Sequence, residues 1–188
     1  MNGKVCPNGC ATSSANLIRC ARVRKSEHSF PSRLETVSMT FQIRRASTGD
    51  LPLLADLFDA YRQFYGQPAD YRLAEAFLRD RLAHDESVVF LAIDSHTGKG
   101  YGFVQLYPSF SSVAARRIWI LNDLFVDPVA RRIGVGRKLL DAARDHAKIT
   151  FAQRLVLSTA ITNREARALY EAYGYKRDEV FLMYKLDV

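Results

Sequence analysis

The sequence predicts an α+β domain built on one mixed, mostly antiparallel sheet with helices against its faces. Three observations lead there. Beyond residue 39, apolar residues switch repeatedly between strand-type runs and helical spacing. The resulting order is strand, two helices, three strands, helix, strand, helix and closing strands. The first two of the three consecutive strands are joined at Thr97-Gly-Lys-Gly100, which reads as a hairpin turn. No internal repeat and no second domain interrupts this order.

The first strand spans about 40–46, carried by Thr40-Phe-Gln-Ile-Arg-Arg45. Ser47-Thr-Gly-Asp50 opens a helix with Leu53, Leu54, Leu57, Phe58 and Tyr61 on its apolar positions. Gly66-Gln-Pro68 breaks it, and Asp70 caps a second helix running to about Leu82. Ser87–Asp94, Tyr101–Tyr107 and Arg117–Val126 are the three consecutive strands. Within the last, Ile118 to Val126 is almost continuously apolar, the composition of a central strand. Asp127-Pro128 ends it, because proline cannot donate to the ladder. From Gly136 onward Leu139, Leu140, Ala143 and Ala147 recur at helical spacing. Arg154–Thr159 is a further strand, Thr162 or Asn163 caps a last helix, and Gly174 stops it. Strands near Tyr175–Arg177 and Val180–Leu186 are expected to close the sheet.

Composition narrows the function. Nearly half of the 188 residues are apolar, and no run approaches the roughly 18 apolar residues of a membrane helix. The net charge is +7, but residues 1–38 supply +4 of it and the rest of the chain only +3. No helix carries the basic stripe of a duplex-binding surface, so neither nucleic acid nor membrane is expected as a partner. Residues 1–38 lack sustained periodicity and hold all three cysteines, Cys6, Cys10 and Cys20. With His28 these cysteines match no familiar zinc spacing, and His84, His96 and His146 suggest no metal site either. The stretch reads as a disordered leader or an over-long start, with Met39 as the working initiator and 39–188 as the domain. It is also Arg- and Ser-rich and acid-poor, so organelle targeting stands beside the cytoplasm as a location. A domain without cysteine excludes catalysis through a thiol there.

The chemistry concentrates in Leu121–Leu140. A buried strand runs through Arg131-Arg-Ile-Gly-Val-Gly-Arg-Lys138 into a helix. Unpaired N–H groups at such a helix start attract phosphate, and Arg131, Arg132, Arg137 and Lys138 add formal charge. A P-loop is excluded, since no Lys-Ser or Lys-Thr follows a suitable glycine pair. A dinucleotide fingerprint is excluded too, since Leu139 stands where its third glycine belongs. A tight strand-to-helix turn with a solvated basic rim is the plainer alternative. In the next helix Asn163, Ala166 and Tyr170 fall at i, i+3 and i+7 and share one face.

Arg131-x-x-Gly134-x-Gly136 followed by Asn163-x-x-Ala166-x-x-Leu169-Tyr170-x-x-x-Gly174-Tyr175 resembles, in order, the two cofactor motifs of the GNAT superfamily of N-acetyltransferases. The resemblance runs from Phe41 to the C-terminus and is nearest to the subgroup acting on small amines, polyamines and amino acids. It implies a fold whose fourth and fifth strands splay apart, with the pantetheine of acetyl-CoA lying in the gap. It implies cofactor contacts from Leu124, Phe125 and Val126, from Arg131, Arg132, Ile133, Gly134, Val135, Gly136, Arg137 and Lys138, and from Asn163, Ala166 and Tyr170. One N–H among Leu124–Val126 would hold the thioester carbonyl, and Tyr170 would protonate the departing coenzyme A thiolate. A tyrosine that merely packs helix on sheet is the alternative for Tyr170.

Amine acetylation requires loss of a proton from an ammonium whose ordinary pKa is about 10.4. Asp123, a carboxylate in an apolar strand, could hold that ammonium and take its proton, or could instead bond to backbone at a strand irregularity. The polyamine-type enzymes carry Glu-Asp in this strand, whereas this chain has Asn122-Asp123. Tyr65, Tyr107, Asn122 and Asp123 are the expected acceptor residues, while Phe58 and Tyr61 read as a core stripe. The expected activity is direct acetyl transfer in a ternary complex to a small primary amine, without a metal. Protein or peptide acetylation and a non-catalytic acyl-CoA-binding module are the alternatives, and a homodimer is an expected assembly.

Overall fold

The structure is a computed structural model that describes residues 40–188, so the leader reading, the three cysteines and His28 lie outside the described residues. Five strands form one sheet in sequence order: β1 (Phe41–Arg45), β2 (Val88–Asp94), β3 (Gly100–Ser111), β4 (Arg116–Val126) and β5 (Leu155–Val156). The first four pair antiparallel, and β5 lies parallel to β4. Helices α1 (Leu51–Phe64) and α2 (Tyr71–Ala83) cover one face, and α3 (Val135–Ile149) packs on the other; α4 (Arg164–Tyr173) packs against α3. Among these residues no helix is long and apolar enough to cross a membrane.

Strand alternation sends Val89, Leu91, Ile93 and Phe103 toward Leu54, Ala55 and Leu78 of the α1/α2 layer. Val88, Ala92, Val104 and Leu106 face Leu139, Leu140 and Ala143 of α3. A sheet buried on both faces accounts for the unbroken apolar runs in β2 and β3. Asp70 caps α2 as expected, its Oδ1 accepting from Leu73 N at 3.0 Å. Gly102 permits close approach of β3 to β4: a Cβ there would lie 2.4 Å from the Phe125 carbonyl.

Four elements differ from the sequence expectation. β3 extends to Ser111, because Ser109–Ser111 find a ladder on Arg116–Ile118 that their own composition does not advertise. β5 is two residues long, since pairing with β4 stops at Ile120–Val156. Neither expected closing strand forms: Tyr175–Arg177 and Val180–Leu186 pair with no strand.

His146 on α3 is buried between the rings of Trp119 and Phe90, at centroid distances of 4.7 and 5.7 Å. Burial, with Arg45 and Arg117 nearby, holds its pKa below the ordinary value. The unfolded chain therefore takes up a proton first as pH falls. Melting temperature should drop as pH is lowered below about 6.5, the ordinary histidine value, and level off once the depressed native pKa is passed. His146→Leu should flatten that part of the profile, which thermal melts between pH 7.5 and 5 would measure.

Candidate active site

β4 and β5 part company after Ile120–Val156, and the remainder of β4, Leu121–Val126, is paired on its β3 side alone. The splay opens a cleft of ≈ 740 Å³ between β4, the end of α1, the start of α3 and α4. Hydrogen bonds fix which β4 groups face it. Asp127 N donates to Tyr101 O on β3, while Val126 O accepts from Arg131 Nε at 3.1 Å, away from β3. Alternation then turns the amides of Leu124 and Val126 toward the gap and that of Phe125 toward β3. The expectation that Phe125 could offer a free amide is thereby corrected, although the residue does line the cleft.

At the cleft's phosphate-sized end the backbone takes an uncommon path. Gly134, the N-cap of α3, has φ +91°, and Arg132 has φ +64°. Two left-handed residues separated by one create a concave run of N–H groups, and the start of α3 adds its dipole. A side chain at Gly136 would press on Leu169 of α4 at 3.1 Å, so this glycine also lets the two helices approach. Arg131, Arg132 and Arg137 line this end; the Arg131 guanidinium rests over the Phe64 ring at 5.9 Å. Two expected residues are not part of the lining. Ile133 turns a partly exposed side chain elsewhere, and Lys138, on the exposed side of α3, sits 3.9 Å from Asp141.

From α4 come Asn163, Ala166 and Tyr170, on one face as their spacing requires. Asn163 caps α4, its Oδ1 accepting from Ala166 N at 3.2 Å, so a ligand contact from its side chain would come from Nδ2. Tyr170 is 8% exposed and packs against Tyr175. Burial, then the neighbouring Tyr65 and Tyr175 hydroxyls, push its pKa up to about 12. It therefore carries its proton at neutral pH, as an acid must before it acts.

On the opposite side of β4 stands Asp123, and a strand irregularity puts it there. Leu121 faces α3 and Phe125 faces α1, although they are an even number of residues apart. The register shift between Gln105 and Leu106, which leaves Asn122 without a partner, produces the switch. Asp123 is 4% exposed and bonds to a side chain: Asn122 Nδ2 reaches both carboxylate oxygens at 3.1 and 3.2 Å. Burial raises its pKa, and the nearby Tyr61 hydroxyl and the Asn122 amide pull in the other direction. None of the ion pairs among the described residues includes it. Directly opposite in register, Gln105 is fully buried, gives Nε2 to Ser87 Oγ at 2.8 Å and leaves Oε1 without a donor.

Tyr61 packs on the core as expected, against Phe103 and Phe125, but does more than that. It is half-buried, lines the cleft beside Tyr65, Asn122 and Tyr170, and lies near enough to Asp123 for that carboxylate to raise its pKa, after burial. It is the residue through which the cleft meets the buried carboxylate. Its i, i+4 relation to Tyr65 was the available signal, though only the opposing strand reveals its partner. Tyr65 and Asn122, expected at the acceptor, line the cleft. Tyr107 does not; it lies half-buried on β3, its pKa raised to about 12 by burial and by Asp123. Phe64, Ser158 and Thr159 are lining residues that no motif identified. No group of three metal-ligating side chains occurs among the described residues.

Comparison with known proteins adds three findings. The family model for the acetyltransferase (GNAT) family matches residues 52–175. An uncharacterized N-acetyltransferase of Bacillus subtilis (strain 168) is 51% identical over 146 residues, covering 78% of this chain and 97% of the relative. A crystal structure of a probable acetyltransferase superposes with a TM-score of 0.75 at 41% identity, covering 78% of this chain and 97% of that one.

Proposed function

This chain belongs to the acetyltransferase (GNAT) family and is an N-acetyltransferase; from that premise we propose that it moves the acetyl group of acetyl-CoA directly to the primary amine of a small molecule. The observation that carries the acceptor class is the buried Asp123, in no ion pair, opposite Gln105 in register, whose Oε1 has no donor. A carboxylate deprived of water and of any cation is costly, and an incoming ammonium offsets that cost. Relatives whose names state an acceptor are varied. One, 34% identical over 90 residues that make up 56% of its length, is a D-amino-acid N-acetyltransferase of Saccharomyces cerevisiae. Others sharing the fold act on aminoglycosides.

The residues present fit acetyl-CoA. The left-handed turn and three arginines suit its pyrophosphate, and the gap beside Leu124 and Val126 suits an extended arm. A protein of the same fold from Clostridium acetobutylicum, 16% identical with a TM-score of 0.64, was solved with acetyl-CoA. The ligand supplies the acetyl group as a thioester. Asp123 holds the ammonium and accepts its proton, with Asn122 fixing the carboxylate. The gap-facing amides of Leu124 and Val126 stand where negative charge develops on the carbonyl oxygen. Tyr170, protonated, gives its proton to the departing thiolate.

Gly134→Glu tests the phosphate end. It forces a side chain into a left-handed backbone and sets a carboxylate against an anion. Acetyl-CoA affinity, measured by calorimetry on folded protein, should fall at least about tenfold, ~1.4 kcal/mol; unchanged affinity would place the phosphates elsewhere. The acceptor class is tested by thiol release from acetyl-CoA with polyamines, amino acids, aminoglycosides and lysine peptides. Saturable turnover with one of the small amines is expected. Turnover confined to peptides would replace the small-molecule reading.

A further inference from the structure

The strand irregularity at Asn122 also chooses the neighbour of Asp123. Leu106 pairs with Leu121, and the same register carried one residue on would set Gln105 opposite Asn122. The extra residue in β4 sets Gln105 opposite Asp123 instead. Both lie on the α1/α2 face, in alternation with Phe103 on β3 and Phe125 on β4. Residues directly opposite on an antiparallel pair have Cβ atoms about 4.5–5.5 Å apart, so the amide and the carboxylate share one small space.

The Gln105 amide is held from one side only. Ser87, just before β2, takes Nε2 on its Oγ at 2.8 Å. Both residues are buried, so that bond fixes the amide's orientation. Oε1 occupies the other branch of the amide, and among the described residues nothing donates to it. A buried amide oxygen without a donor is costly, and this one stands beside a carboxylate that no described cation pairs. Asp123 has the Asn122 amide, and Oε1 has nothing. The two acceptors together suit a donor that carries positive charge and more than one N–H.

We infer that Gln105 Oε1 takes a second N–H of the acceptor ammonium and is the residue that restricts the enzyme to primary amines. The inference rests on the amine acetylation proposed above, but not on whether the amine belongs to a small molecule or to a peptide lysine. A primary ammonium has three N–H directions besides the bond to its own chain. One meets Asp123, one meets Gln105 Oε1, and one is left to face the thioester. An N-methyl group must occupy one of the three. The fully buried amide then has neither water nor a protein donor to replace the bond it loses. A site built to bond an N–H rejects the analogue lacking it more sharply than an apolar pocket rejects an extra methylene. Ser87 is a positioning residue in this arrangement: without its hydroxyl the amide is free to turn and present Nε2 to Asp123.

The test compares kcat/KM for the best primary amine and for its N-methyl derivative in the parent, Gln105→Met and Ser87→Ala. If only peptides turn over, lysine and monomethyl-lysine peptides serve, so failure of the small-molecule reading leaves this test intact. The parent should favour the primary amine at least about tenfold. Gln105→Met, close in size, should lower kcat/KM for the primary amine about tenfold or more and hardly change that for the N-methyl amine. The preference then falls toward one, with acetyl-CoA affinity unchanged. Ser87→Ala, which removes a single oxygen, should narrow the preference in the same direction, and it carries the test should Gln105→Met not fold. A parent without preference overturns the inference, as does a preference that neither variant alters. Equal losses for both amines overturn it too, because the amide would then serve packing or Asp123 rather than a substrate N–H.

Discussion

Tyr170→Phe should leave acetyl-CoA bound and turnover slowed by roughly the 10²–10⁴-fold typical of a lost general acid. The substitution removes one oxygen and keeps the ring, which packs against Tyr175 at a centroid distance of 5.7 Å. Melting temperature and cofactor affinity should therefore hardly move. The low end of the range is expected, since a free thiol has a pKa of about 8.5 and leaves fairly well without help. Burial places the Tyr170 pKa at about 12, so the hydroxyl is protonated across the working range and its loss should not reshape the neutral part of the pH profile. Full activity in the variant would reduce Tyr170 to a packing residue.

Asp123→Asn should fail differently. The side chain is nearly isosteric but cannot hold a cation, so acceptor KM should rise and kcat/KM should fall by roughly 10²-fold or more, with acetyl-CoA binding intact. The pH profile supplies a second readout. Burial raises the Asp123 pKa, so in the parent the acid limb of kcat/KM should lie above the ordinary carboxylate range, and in the variant that limb should vanish. Stability should move the opposite way from activity. A carboxyl whose folded pKa is raised stabilises the fold below its unfolded pKa and loses that contribution as pH rises through the folded value. At neutral pH the charged Asp123 is thus a burden, and Asp123→Asn should melt at the parent temperature or higher. A variant that melts far lower yet keeps its specific activity would make Asp123 structural.

The contrast between these two residues shows what the sequence can carry. Asn163, Ala166 and Tyr170 were legible because helical period fixes a shared face whatever lies opposite. The arginine and glycine loop was legible because a helix start after a strand offers unpaired N–H groups by construction. Asp123 was legible as an anomaly only. That it faces α1 rather than α3 depends on the irregularity at Asn122, and a one-residue shift in pairing leaves no mark in composition. Helical period places Tyr61 on the core face, where it packs on Phe103 and Phe125, but does not show that it also lines the cleft. Phe125 shared an expectation with Leu124 and Val126 that only hydrogen-bond direction could divide. The closing strands failed for a further reason. Val180–Leu186 has strand composition, but composition alone does not make a strand, and the segment pairs with no strand of the sheet.

The account rests on acceptor and acetyl donor meeting across β4, with Asp123 on one side, Tyr170 on the other and no acetylated enzyme between them. Initial rates with acetyl-CoA and the best amine varied against each other test this most directly. Double-reciprocal lines that intersect are the expected result, because both substrates must be bound before either product leaves. Parallel lines, with an acetyl group trapped on the protein when acetyl-CoA is supplied alone, would contradict it.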